Sequence, residues 1–122
     1  MFRVLAVDDD PLLLRLYVRA LHDMTVVTLT DPRAALALLT TCAPGAYDIV
    51  LLDQDMAGLT GLCLARQLFD RRNPHADRVL FVTGTPEVVE ASELPCPALG
   101  KPFSVSELRA AVDSVARVHL VA

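Results

Sequence analysis

Residues 48–52 read DIVLL, and the last four of them are apolar. Successive side chains of a strand point to opposite faces, so a strand of this kind must be covered on both sides. Phe2–Val7 and Arg78–Val82 (RVLFV) are nearly as apolar, and Thr25–Leu29 is β-branched and strand-like. Segments of helix length separate these runs. Asp10-Pro11 and Asp31-Pro32 each set a capping acid before a proline at the first helical position. Leu14, Tyr17, Val18 and Leu21 then recur at helical spacing, with Arg15, Arg19 and His22 on the other face. Ala35, Leu38 and Leu39 form the apolar face of a second helix, which Ala43-Pro44-Gly45 stops. Gly58 and Gly61 mark a loop before a third helix, LCLARQLF. Glu87–Glu93 is a short fourth helix ended by Pro95 and Pro97, and Ala98–Gly100 a short fifth strand. Ser104 and Glu107 have the spacing of a capping box, and Leu108, Ala111, Val112 and Val115 give the last helix its inner stripe. The order βαβαβαβαβα predicts an α/β fold, a doubly wound five-stranded parallel sheet with helices on both faces.

The length, 122 residues, suits one domain over 1–122. A hydrophobic fraction of 53% against 21% charged excludes a disordered chain. The net charge of −4 gives no electrostatic reason to expect nucleic-acid binding, which needs clustered Lys and Arg. Cys42, Cys63 and Cys96 are odd in number and lack C-x-x-C spacing, which argues against a disulfide framework and for a reducing compartment. Cys63 is expected buried, and Cys96, between two prolines, exposed. His22, His75 and His119 fall at expected surface or loop positions and read as solvated. No apolar run approaches the roughly 18 residues of a membrane span, and the N-terminus lacks a signal-peptide pattern, so a cytoplasmic location without membrane partners is expected.

In a doubly wound sheet, ligands bind beyond the carboxyl ends of the strands. Those ends deliver Asp8 and Asp9, Asp53, Thr83 and Lys101. Three carboxylates so close raise one another's pKa and destabilise the fold if all stay charged. A divalent cation relieves that repulsion, and oxygen ligands without Cys or His suit Mg²⁺ or Mn²⁺. Lys101 can pair with a phosphoryl oxygen, Thr83 can donate a hydroxyl to another, and an aspartate can itself be the nucleophile. The set is complete for phosphoryl transfer to a carboxylate. Asp10 reads as a helix cap rather than a metal ligand.

These residues, in this order and each at a strand end, resemble the receiver domain of two-component response regulators over essentially the whole chain. The matching features are Asp8-Asp9, Asp53 after IVLL with Gly61 eight residues on, FVTG with Thr83, and KPF at Lys101–Phe103. The resemblance implies a flavodoxin-like sheet of order 2-1-3-4-5. It implies Asp53 as phosphoacceptor from a phosphohistidine of a sensor histidine kinase or a phosphotransfer protein. It also implies Mg²⁺ on Asp9 and Asp53 with Asp8 closer to an outer role, the main-chain carbonyl of Asp55 completing the site, and a cis bond between Lys101 and Pro102. Lys101 would hold the phosphoryl group, Thr83 would turn toward it, and an output partner would read the change. Leu12 and Leu13 are expected to divide between core and kinase-docking face. Asp55 and Thr85 occupy positions that tune phosphoryl lifetime in this family.

The chain departs from the family pattern at Ala57, where proline is usual, and at Ala98, where the switch aromatic normally stands. Only 17 residues separate Thr83 from Lys101, so the fourth helix is expected to be short, displaced or partly unwound. Two other functions fit parts of the sequence. A receiver fold acting without phosphorylation fits the missing aromatic. The D-x-D-x-A of DQDMA is similar to the motif of haloacid-dehalogenase-like phosphatases, although there it follows the first strand, and it leaves Asp8-Asp9 without a role.

Overall fold

A computed structural model describes residues 1–118. Five strands alternate with five helices: β1 (Arg3–Val7), α1 (Pro11–Ala20), β2 (Thr25–Leu29), α2 (Pro32–Thr41), β3 (Ile49–Leu52), α3 (Gly61–Asp70), β4 (Val79–Thr83), α4 (Pro86–Ala91), β5 (Ala98–Gly100) and α5 (Val105–Val118). One 3₁₀ turn, Ala76–Arg78, leads into β4. The strands form a single parallel sheet of order β2-β1-β3-β4-β5, as expected.

The alternation along each strand divides the core in two. Leu5, Val7, Val50, Leu52, Val79 and Phe81 face one side and meet Ala35 and Leu39 of α2, Leu64 and Leu68 of α3 and Val89 of α4. Val4, Ala6, Ile49, Leu51, Leu80 and Val82 face the other and meet Leu14 and Tyr17 of α1 and Leu108 and Val112 of α5. Burial on both faces is why β1, β3 and β4 contain no polar residue in their inner positions.

The helix starts follow the sequence. Asp10 accepts from Leu12 N–H at 3.0 Å and Asp31 from Arg33 N–H at 2.9 Å, each with proline next in the chain. Ser104 and Glu107 bond reciprocally, Ser104 N–H to Glu107 Oε1 at 2.9 Å and Glu107 N–H to Ser104 Oγ at 3.0 Å. That exchange holds the fully exposed Glu107 carboxyl below its ordinary range. The fourth helix has six residues, and Glu93 just beyond it has φ 64°, a left-handed conformation that turns the chain back toward β5.

Four expectations are corrected. Val18 is exposed rather than part of the buried face of α1, where Ala20 takes its place beside Leu14 and Tyr17. Cys63 is exposed on α3, one position before the buried Leu64. Cys96 is half-buried against the core, and burial pushes its thiol up to about 11. His75 is fully buried, while His22 is exposed and His119 lies outside the described residues. The reason for His75 is a contact distant in sequence. Asn73 donates its amide to Leu39 O at 2.8 Å and accepts from His75 N–H at 2.9 Å, which folds the loop inward. His75 Nε2 then accepts from Tyr47 N–H at 3.3 Å, and Nδ1 has no partner.

Burial, followed by the charge of Arg78, lowers the His75 pKa below 6.5, against a smaller opposing effect of Asp77. Protonation also sets an Nε2–H donor against the Tyr47 N–H. The unfolded chain therefore binds the proton first. The His75 contribution to stability is complete above pH 6.5 and is lost as pH falls from there through the lowered folded value. The loss in urea-unfolding free energy between about pH 7.5 and about pH 5.5 is expected to shrink in His75→Gln. An equal loss in both proteins contradicts this account.

Candidate functional site

Each site residue sits where a strand ends, and the sheet ladder continues just far enough to fix it. Asp8 N–H donates to Leu29 O at 3.2 Å, Asp53 N–H to Val7 O at 3.2 Å and Lys101 N–H to Thr83 O at 2.8 Å. The side chains of Asp8, Asp9, Asp53 and Lys101 thereby meet at one edge. Carboxylate oxygens of Asp8, Asp9 and Asp53 all lie within 4.8 Å of one another. Lys101 Nζ stands 3.1 Å from Asp8 Oδ2 and 3.5 Å from Asp53 Oδ2. Asp8 and Asp53 are buried and Asp9 is exposed, so the cluster opens to solvent on the Asp9 side. The Lys101–Pro102 bond is cis, as the resemblance implies.

The charges do not balance internally, because three carboxylates face one ammonium. Asp8 is satisfied by protein donors, with Oδ1 accepting from Asp10 N–H at 2.9 Å and Oδ2 facing Lys101. Asp53 is not: Oδ2 faces Lys101, and Oδ1 is buried with no hydrogen-bond partner. Burial raises the Asp53 pKa above 3.8; Lys101 opposes that rise, Asp8 adds to it, and the nearby backbone N–H groups of Asp55 and Gln54 oppose it weakly without making a hydrogen bond to Oδ1. An unsatisfied buried oxygen, an excess of negative charge and an all-oxygen donor set fit a hard divalent cation such as Mg²⁺. Asp10 belongs to the helix cap and stays out of the cluster.

Tyr17 and Phe103 pack on the α1–α5 side of the sheet. Their rings stack 6.2 Å apart at 13°. Burial, with Asp8 and then Asp53 adding to it, raises the pKa of the Tyr17 hydroxyl, which stays neutral. Leu12 is exposed on α1 while Leu13 packs against this side of the core.

Two positioning residues carry no sequence signal of their own. Gln54 holds the loop after β3: its carbonyl accepts from Met56 N–H at 3.2 Å and Gly61 N–H at 3.1 Å, and its Oε1 from Leu62 N–H at 2.7 Å. Thr60 caps α3 by accepting from Cys63 N–H at 3.2 Å. A glutamine next to an aspartate belongs to no motif, so only the fold shows its part. Thr83 and Thr85 lie on the far side of Asp53. Their hydroxyl oxygens are 3.2 Å apart, and Thr85 Oγ1 donates to Asp55 Oδ2 at 3.3 Å.

An open, doubly wound parallel sheet with its chemistry at the carboxyl ends of β1, β3, β4 and β5 places the protein among the flavodoxin-like α/β domains. The family model for the response regulator receiver domain matches residues 4–113, and the chain belongs to that family. It is a receiver domain of two-component signal transduction, a family of phosphoacceptors rather than classical enzymes. The chain is 34% identical to the positive alginate biosynthesis regulatory protein of Pseudomonas aeruginosa over an alignment of 125 positions. That alignment takes in 97% of this chain and 48% of the other, so the chain spans about half the length of this curated relative. Among solved structures, the receiver domain of a Francisella response regulator superposes with a TM-score of 0.83 at 23% identity, covering 98% of this chain and 99% of that one. The response regulator TrrA of Thermotoga maritima, solved in complex with Mg²⁺–BeF, gives 0.80 at 25% identity, covering 94% and 99%. Nothing in these matches supports the phosphatase reading of DQDMA, and here Asp8 has a partner in Lys101. No helix among the described residues is long and apolar enough to cross a membrane.

Gly61 ties α3 to the site. A Cβ there would strike the carbonyl oxygen of Asp53 and the ring of Phe81. Gly61→Ala is expected to cost about 1–3 kcal/mol of stability, the usual cost of overpacking, read as a lower urea midpoint. A midpoint equal to the native protein's contradicts this.

Proposed function

We propose that the protein accepts a phosphoryl group onto Asp53 from a phosphohistidine of a sensor histidine kinase or phosphotransfer protein. The observation that carries this reading is the state of Asp53: buried, one oxygen facing Lys101 at 3.5 Å and the other with no hydrogen bond. A carboxylate in this state has an oxygen available for a new bond and an ammonium beside it for the charge that arrives.

In the transfer, an Asp53 oxygen attacks phosphorus, an O–P bond forms, and the N–P bond breaks with its electron pair going to the leaving imidazole. Lys101 pairs with a phosphoryl oxygen. Thr83 donates its hydroxyl to another. Asp9, Asp53 and the main-chain carbonyl of Asp55 would hold Mg²⁺, which when bound supplies the positive charge that lets a phosphoryl group sit among carboxylates. Both oxygens of Asp8 are already engaged, by Asp10 N–H and Lys101, which supports an outer role for it. The same transfer run in reverse to a second histidine makes the domain a relay, and a separate partner would read the phosphorylated form.

Amide resonances around Asp53, Thr83 and Lys101 are expected to shift when Mg²⁺ and beryllofluoride are added, and not to shift with beryllofluoride in Asp53→Asn. No shift in the native protein sinks the reading. The metal arm has its own test. Asp9→Asn is expected to weaken Mg²⁺ binding by about tenfold or more, as loss of a ligand does. Asp10→Asn, whose side chain caps α1, leaves it nearly unchanged. Equal losses in both variants move the metal away from Asp9.

A further inference from the structure

Thr83 ends β4 fully buried, and its hydroxyl is already in use. Thr83 Oγ1 accepts from Thr85 N–H at 3.2 Å and lies 3.2 Å from Thr85 Oγ1. Thr85 Oγ1 donates to Asp55 Oδ2 at 3.3 Å. A carboxylate accepts only, and a threonine hydroxyl has a single proton. The Thr85 proton is spent on Asp55, so Thr83 must be the donor between the two threonines. Donation therefore runs from Thr83 to Thr85 to Asp55. The one proton that Thr83 could give to a phosphoryl oxygen is committed elsewhere.

We propose that Thr85 is a positioning residue that holds Thr83 in this committed state, so that filling the pocket at Asp53 requires Thr83 to let go of Thr85. The proposal rests on the reading of Thr83 as donor to the phosphoryl group. The chain of hydroxyls joins the loop after β4 to the loop after β3 and needs no aromatic side chain on β5. There Ala98 offers only a methyl group packed against the core. Thr85 is also the residue before Pro86, the first of α4, and its hydroxyl makes no capping bond to that helix, so it is free to serve Thr83 and Asp55.

The test is the affinity of the native protein and its variants for beryllofluoride in saturating Mg²⁺, by calorimetry. Thr85→Val keeps the shape of the side chain and removes the hydroxyl without changing any charge. It is expected to bind about fivefold more tightly, the effect of one net hydrogen bond no longer broken on binding. Thr85→Ser restores the hydroxyl and is expected to bind as the native protein does. In a Thr83→Ala background, Thr85→Val is expected to have no effect, because the relay has lost its first donor. The proposal is overturned if Thr85→Val matches the native affinity, if Thr85→Ser behaves like Thr85→Val, or if the gain persists without the Thr83 hydroxyl. Tight native binding with an unaltered Thr85→Val removes the relay alone. No native binding removes the phosphoacceptor reading and the relay with it.

Discussion

Lys101 holds the acidic edge of this domain together. Its ammonium reaches the buried carboxylates of Asp8 and Asp53, on two different strands, from a third. Without it, two buried anions would face each other beside a third, and removing one partner of such a group is far more costly than the group's net worth. One ammonium against three carboxylates is still a deficit. The site tolerates it because Asp9 remains in solvent and Asp8 shares its charge with the Asp10 N–H. The remaining imbalance falls on Asp53, whose Oδ1 is buried and unengaged.

The strands place these residues without help from the loops. Asp8, Asp53 and Lys101 each donate a backbone N–H to the neighbouring strand, so their Cα positions belong to the sheet. Their side chains then extend from rigid backbone, the arrangement that fixes reacting groups best. The loops supply adjustment: Gln54 and Thr60 fasten the chain beside Asp53, and on its other side the hydroxyl of Thr85 links Thr83 at the end of β4 to the carboxylate of Asp55. The proposed relay suits a domain with a six-residue α4 and an alanine at position 98, since it needs neither a long helix nor a ring.

The fold was legible because burial on both faces writes itself into composition: IVLL cannot sit anywhere but inside. Asp-Pro pairs marked two helix starts for reasons internal to the backbone. The meeting of Asp8, Asp9, Asp53 and Lys101 at one edge was legible because polar side chains follow apolar strands at matching places. What escaped were features decided by contacts distant in sequence. His75 is buried because Asn73 reaches Leu39, 34 residues away. Val18 and Cys63 sit one step around their helices from the buried stripe, where a single residue type says nothing of direction. Cys96 reads as exposed between prolines, yet it packs against the core, where Phe81 N–H donates to the carbonyl of the next residue, Pro97. Gln54 acts through hydrogen bonds that no spacing encodes.

The contact at Gly61 bears on motion. The first residue of α3 lies against the carbonyl of the reactive aspartate with no side chain between them, and Gly61 N–H is bonded to the carbonyl of the residue that follows it. A side chain between two elements acts as a spring, absorbing small displacements by changing rotamer. Here there is none. The amino end of α3 and the Asp53 backbone are therefore in direct contact, and a displacement of one reaches the other with no rotamer change to absorb it.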